Sequence, residues 1–276
     1  MPQEPRLRPP LYWQSQLLLL IVVPLACMWI FFQTIDAWER RDPILIQAAG
    51  ICLVFGLIVW LTRAGTTPAV FTGTLITGCL YLRTPGWHTA LWPLIAMLAL
   101  TLSATRFGGS RKQDLGLAES HSGRSASQVA ANLGIAALAC IPAHSLLIAV
   151  AGISAVLAEA TADTLSSELG QVLGGQPRLL TTFRPVPPGT DGGITLAGTA
   201  SGCIGAAIIA ALSAATFHTG LPFATIIFFC GVLGLFADSL LGATLERQGI
   251  LNNDAVNFLS TCISASSAEW LTRHIF

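Results

Sequence analysis

The segments AEATADTLSSELG (Ala158–Gly170) and TTFRPVPPGTDGGITLAGTASG (Thr181–Gly202) decide how this chain is read. Only 10% of its residues are charged, yet Glu159, Asp163 and Glu168 fall at the end of an apolar run, and Arg184 follows in a Pro/Gly-dense turn. Carboxylates in or beside an apolar span are costly to desolvate, so they mark functional sites. A glycine-rich turn that opens a helix is a seat for anions, because its backbone N–H groups converge there. Together the two segments point to a metal ion and phosphate groups held at one end of a helical bundle.

Outward from these segments the chain is apolar. Hydrophobic residues make up 53% of it, in repeated runs of about 17–24 residues, each long enough to cross the hydrocarbon of a bilayer. A soluble domain would carry roughly a quarter charged residues. The first run, residues 17–32, is too long for a signal-peptide core, contains Pro24 and lacks a small-residue cleavage site after it, so it reads as a span. The expected fold class is all-α: one integral membrane domain, 1–276, built as a polytopic helix bundle. About nine transmembrane spans are expected, near 11–33, 44–62, 67–82, 89–105, 128–142, 144–164, 193–216, 221–243 and 255–272, the fifth ending at Pro142. All seven cysteines lie in apolar runs without metal-binding spacing and read as core residues. With a net charge of zero there is no bulk attraction to a nucleic-acid polymer. Nothing in the pattern sets an oligomeric state.

Nine spans would place Arg6, Arg8, Arg63, Arg106, Arg111, Lys112, Arg124, Arg178, Arg184 and Arg247 on one face, against Arg40, Arg41, Arg83 and Arg273 on the other. That ten-to-four bias predicts a cytoplasmic N-terminus, with every polar motif on the cytoplasmic face. The first four spans read as scaffold, and Gly73 and Gly78 suit close helix packing there.

Further candidates lie on that face. In GRSASQVAANLG (Gly123–Gly134), Arg124, Gln128 and Asn132 recur every fourth residue and share one side of a helix. TADTLSSELG and FADSLLGATL share Ala-Asp-[Ser/Thr]-Leu at Asp163 and Asp238, on spans running the same way. Asp163, Glu168, Asp238 and Glu246 fall near helix C-terminal ends, where the dipole disfavours negative charge, and no Lys or Arg lies within those spans. A hard cation compensates most simply, so Asp163, Glu168 and Asp238 are assigned to Mg²⁺. Spans that start on the same face turn their N-terminal amides toward the site. Arg124 and Arg184 precede two of them, and PPGTDGG contributes Gly189, Thr190, Asp191, Gly192 and Gly193 as a phosphate seat. Asn253, also the expected cap of the last helix, and Asn257 complete the phosphate or substrate contacts. Asp163, Asp238 and Arg184 are the expected catalytic residues for phosphoryl transfer. Two simpler readings stand beside this one: aspartates hydrogen-bonded within the bundle, and a tight turn in which Asp191 caps the following helix.

In order, GRSASQVAANLG, ATADTLSSELG, TTFRPVPPGTDGGITLAGTASG, FADSLLGATLERQG and NDAVNFLS resemble the signature blocks of an integral-membrane domain-of-unknown-function family. It is the family that contains transmembrane protein 19 and the plant phytyl-phosphate kinase. The resemblance covers 65–276, and the spans in 1–62 are less diagnostic. It implies a membrane kinase that converts a prenyl monophosphate such as phytyl phosphate to the diphosphate, with a nucleoside triphosphate, CTP or ATP, as co-substrate. Arg184 stands where the family is expected to carry Lys. A nucleotidyltransferase acting on a lipid phosphate would use nearly the same parts, and an ion-coupled transporter using Asp163 and Asp238 is the reading from another class.

Overall fold

The computed structural model describes residues 12–114, 123–141 and 145–276, and Arg6, Arg8 and Pro142 lie outside them, as does the side chain of Arg111. The elements in chain order are α1 (Tyr12–Glu39), α2 (Ile44–Leu61), α3 (Thr67–Arg83), α4 (Leu91–Arg106), the short α5 (Gly109–Asp114), α6 (Ala126–Ala139), α7 (Leu146–Leu173), β1 (Arg178–Leu179), β2 (Gly193–Ile194), α8 (Leu196–Phe217), α9 (Gly220–Leu241) and α10 (Asn253–Ile275). A π-helical turn, Gly242–Glu246, extends α9. Each of the nine expected runs therefore coincides with a helix of 14 residues or more. Five are long and apolar enough to cross a membrane (α1, α2, α7, α8 and the extended α9), and α4 and α6 are shorter apolar helices. The chain is an all-α membrane bundle with one small hairpin, in which β1 and β2 pair antiparallel.

The bundle is organised around α7. Over its apolar window 78% of α7 is buried, against 22% for α1 and 11% for α2, and it touches α4, α6, α8, α9 and α10. Its many small residues, Ala151, Gly152, Ala155, Ala158 and Ala162 among them, let neighbouring helices approach closely. On α8, a Cβ at Gly198 would meet the Ser166 carbonyl at 2.5 Å, and one at Gly202 would meet the Ala162 carbonyl at 2.7 Å. On α9, Gly231 lies against Ala158 in the same way. These contacts bring the backbones of α7, α8 and α9 together just below the acidic residues.

Of the two glycines expected to pack closely on α3, Gly78 does so, its Cβ position lying 3.2 Å from Cys52 Sγ. Gly73 does not, for the atom nearest its Cβ position, Phe55 Cε1, is at 3.8 Å. α1 and α2 sit at the periphery and expose large apolar side chains such as Leu20, Phe31, Leu53 and Trp60. In a membrane protein that surface faces lipid.

Candidate active site

Helix direction creates the site. α7 and α9 bring their C-terminal ends, and α6, α8 and α10 their N-terminal ends, to one cavity of about 360 Å³. Negative dipole ends thus lie beside carboxylates while positive ends face them across the cavity. Asp163, Glu168, Asp238, Arg124, Gln128, Asn132, Gly189, Thr190, Asp191, Gly192, Gly193, Asn253 and Asn257 all line it. Arg184 does not: it is exposed on the hairpin, where its carbonyl accepts from Leu179 N at 2.9 Å.

Among the described residues the cation lining the cavity is Arg124, placed by backbone pairing. Its N–H donates to the Ala64 carbonyl at 3.1 Å and its carbonyl accepts from Thr66 N at 3.0 Å, which locks it to the loop between α2 and α3. Gly123 makes the approach possible, with φ of +73° and a Cβ position 2.7 Å from the Arg63 carbonyl. From there Nη2 reaches Thr164 Oγ1 at 3.0 Å, and the guanidinium is an electrostatic neighbour of Asp163. Ser125 and Gln128 form a capping box that opens α6. The Gln128 side-chain oxygen accepts from Ser125 N at 2.7 Å, and Asn132 Nδ2 donates to the Gln128 carbonyl at 2.9 Å.

The acidic side differs from the sequence expectation at Glu168. Lys112, on α5 and 2% exposed, forms an ion pair with it at 2.5 Å and also donates to the Ala104 and Thr105 carbonyls. The expected lack of a cation held for the spans themselves, but this one arrives from the loop region between α4 and α6. Glu168 therefore already has a counter-ion. The electrostatic neighbours of Asp238 are Asp163, Glu159 and Glu246, all acidic. Below them Glu159, 1% exposed, accepts from Ser260 Oγ at 2.6 Å, and the same hydroxyl lies 3.5 Å from Asp238 Oδ2.

Among the described residues no group of three or more His, Cys, Asp or Glu is gathered closely enough to hold a metal alone. Thr164 and Ser239 line the same cavity as Asp163 and Asp238, and the Thr164 hydroxyl donates to the Ala160 carbonyl at 2.9 Å.

The Pro/Gly turn is partly self-satisfied. Thr190 N donates to the Pro187 carbonyl at 3.3 Å and Gly193 N to the Thr190 carbonyl at 2.9 Å. Gly192 has φ of +70°, and its Cβ position lies 2.2 Å from Ala243 N, so this close approach is to the π-helical turn itself. Such turns recur at functional sites because they re-aim side chains, and this one carries Gly242 and Glu246 into the cavity wall. α8 is capped by Thr195, which accepts from Gly198 N at 3.0 Å, not by Asp191. α10 is capped by Asn252, which accepts from Ala255 N at 2.9 Å, one residue before the expected Asn253. That shift leaves Asn253 on the cavity wall without the capping role.

The profile of the family described as integral membrane protein DUF92 matches residues 50–265. The chain belongs to this family. It is 35% identical to an uncharacterised membrane protein of Methanocaldococcus jannaschii, over 83% of this chain and 94% of the relative. It is 30% identical to an uncharacterised membrane protein of Synechocystis, over 73% and 81%. With "Protein VTE6, chloroplastic" of Arabidopsis thaliana it shares 25% identity over 79% of this chain and 67% of that one. No solved structure matches. The DUF92 match spans every cavity residue and omits α1. Yet α1 is stitched to the edge of the site. Gln14 Nε2 donates to the Ile250 carbonyl at 2.8 Å, Ser15 Oγ to Asp254 Oδ2 at 2.6 Å, and Asn252 Nδ2 to Ser15 Oγ at 3.0 Å.

Proposed function

We propose that this DUF92 protein is a membrane kinase that transfers the γ-phosphoryl group of CTP or ATP to a prenyl monophosphate such as phytyl phosphate. The observation that carries the reading is the opposition, within one cavity, of Asp163 and Asp238 to Arg124 and the N-terminal ends of three helices. An oxygen of the prenyl phosphate attacks the γ-phosphorus and forms a new P–O bond. The bond from that phosphorus to the β,γ-bridging oxygen breaks, and the nucleoside diphosphate leaves with the electron pair. The attacking oxygen is already anionic near neutral pH, so no strong base is required. What the site must supply is position and charge neutralisation. Arg124 and the helix N-terminal amides orient the phosphates, while Asn253 and Asn257 offer further polar contacts. Asp163 and Asp238 would hold Mg²⁺, which when bound neutralises phosphate oxygens.

Product analysis tests the reading. Purified protein given phytyl phosphate and nucleotide labelled at the γ-phosphate is expected to yield labelled phytyl diphosphate. Transfer of an α-phosphate label to lipid would replace kinase by nucleotidyltransferase, and no lipid product with either nucleotide would remove the enzyme reading and leave ion-coupled transport.

The charge bias further supports a cytoplasmic N-terminus and active face. Single cysteines at the exposed Thr182 and Gln248 are expected to react with an impermeant maleimide only from the cytoplasmic side. Labelling from opposite faces would break the shared-face arrangement.

A further inference from the structure

A second cavity, of about 660 Å³, lies between α3 and α4 and reaches α2 and α6. It exists because helices adjacent in sequence diverge: α3 packs on α2 and α6, while α4 packs on α7 and α8 and scarcely touches α3. Most of its wall is apolar, with Phe55, Val59, Met97, Leu98, Leu102 and Leu133. Its other lining side chains include Arg63, Arg106, Lys112 and Arg124, and no Asp or Glu among the described residues. Arg124 lines both this groove and the acidic cavity. The Lys112–Glu168 ion pair also joins them, since Lys112 lines the groove and Glu168 the cavity.

We propose that this groove holds the isoprenoid tail of the lipid phosphate, with the phosphate end at Arg124. The proposal rests on the prenyl-phosphate reading above and assigns its tail site. The chemistry of the walls selects the occupant. Hydrocarbon buries the apolar length, and an anionic head complements the arginines at its end, Lys112 being already paired with Glu168. The volume is within the range of pockets that enclose one small ligand, roughly 300–1,000 Å³. α2, which forms one side, is only 11% buried over its apolar window. The groove therefore lies directly behind a lipid-facing helix. Gly73 is the adjustable point on the wall, because its Cβ position has nothing closer than 3.8 Å. A larger side chain there grows into the groove rather than into backbone.

The experiment uses the full chain in detergent and a geranylgeranyl monophosphate carrying a diazirine at its terminal isoprene. Photolabelling is expected on the groove walls of α3 and α4, displaced by phytyl phosphate but not by phytol or phosphatidylglycerol, and lost in Gly73→Leu. Gly73→Leu is also expected to lower kcat/KM for phytyl phosphate at least about tenfold, with the loss shrinking as the prenyl chain shortens, since each methylene kept out of the groove costs roughly fourfold in affinity. Label on the outer faces of α1 or α2, or equal displacement by phytol or phosphatidylglycerol, overturns the proposal. Groove labelling without any diphosphate product would sink the kinase reading and leave the groove as an amphiphile site. Diphosphate product with label elsewhere would sink the groove alone.

Discussion

Asp238→Asn is expected to abolish prenyl-phosphate turnover, with kcat falling on the order of 10³-fold or more, while the protein keeps an unchanged or higher Tm. The size follows from losing a carboxylate that places a charge-neutralising cation on the transferring group, an effect of several kcal/mol in the barrier. The stability direction follows from its surroundings. The charged neighbours of Asp238 are Asp163, Glu159 and Glu246, all acidic, so a neutral amide there loses no attractive charged partner. A residue that served only the fold would lower Tm on substitution and leave turnover of the remaining folded protein intact. Asp163→Asn is expected to lose activity comparably, but with no gain in Tm, because Asp163 also faces Arg124. Turnover across a Mg²⁺ titration together with thermal melting checks both variants. Normal kcat in either one would take that aspartate out of the phosphate chemistry.

Arg124→Ala is expected to lower kcat/KM by about 10²–10³-fold, the scale of losing one donor aimed at developing charge. The substitution isolates the guanidinium, because Arg124 is held by its own N–H and carbonyl against Ala64 and Thr66 and these bonds survive truncation. Arg124→Lys should recover part of the loss, since a point charge still attracts phosphate but cannot bind it through two parallel bonds. Arg184→Ala is the matched control. Its side chain is exposed and outside the cavity, so a change within about threefold is expected, the range of an ordinary surface substitution. Steady-state kinetics of the three variants checks the assignment. A large loss in Arg184→Ala with little change in Arg124→Ala would return the role to the hairpin.

The sequence showed the helices well because a bilayer demands long apolar runs, and each of these runs became a helix. Asp163 and Asp238 were legible for the same reason, as charges standing out against apolar surroundings. What escaped depended on contacts between distant segments. Lys112 lies in a hydrophilic loop in sequence, and only the return of α5 onto α7 brings it to Glu168. Arg184 and Arg124 look equivalent as cations preceding a helix; the hairpin carries one outward while backbone pairing draws the other in. Asn252 and Asn253 are both good capping residues, and the choice is fixed where Gln14 Oε1 accepts from Asn252 N at 2.8 Å. The same contact gives α1, weak in family signal, a part in shaping the site. The apolar groove had no signature at all, because it arises from helices that part rather than from any residue pattern.

Ser260 has a single hydroxyl hydrogen and three oxygens competing for it: Glu159 Oε1 at 2.6 Å, the Asn257 carbonyl at 2.9 Å and Asp238 Oδ2 at 3.5 Å. A hydrogen committed to the shortest of these contacts is withheld from the longest. Asp238 is thus the weaker claimant on the one hydroxyl beneath it, and its charged neighbours are all acidic. A carboxylate satisfied from below would have little reason to reach for anything entering from above. Here the deeper glutamate acts as a rival acceptor, and the hydrogen it holds is not available to the aspartate on the cavity wall.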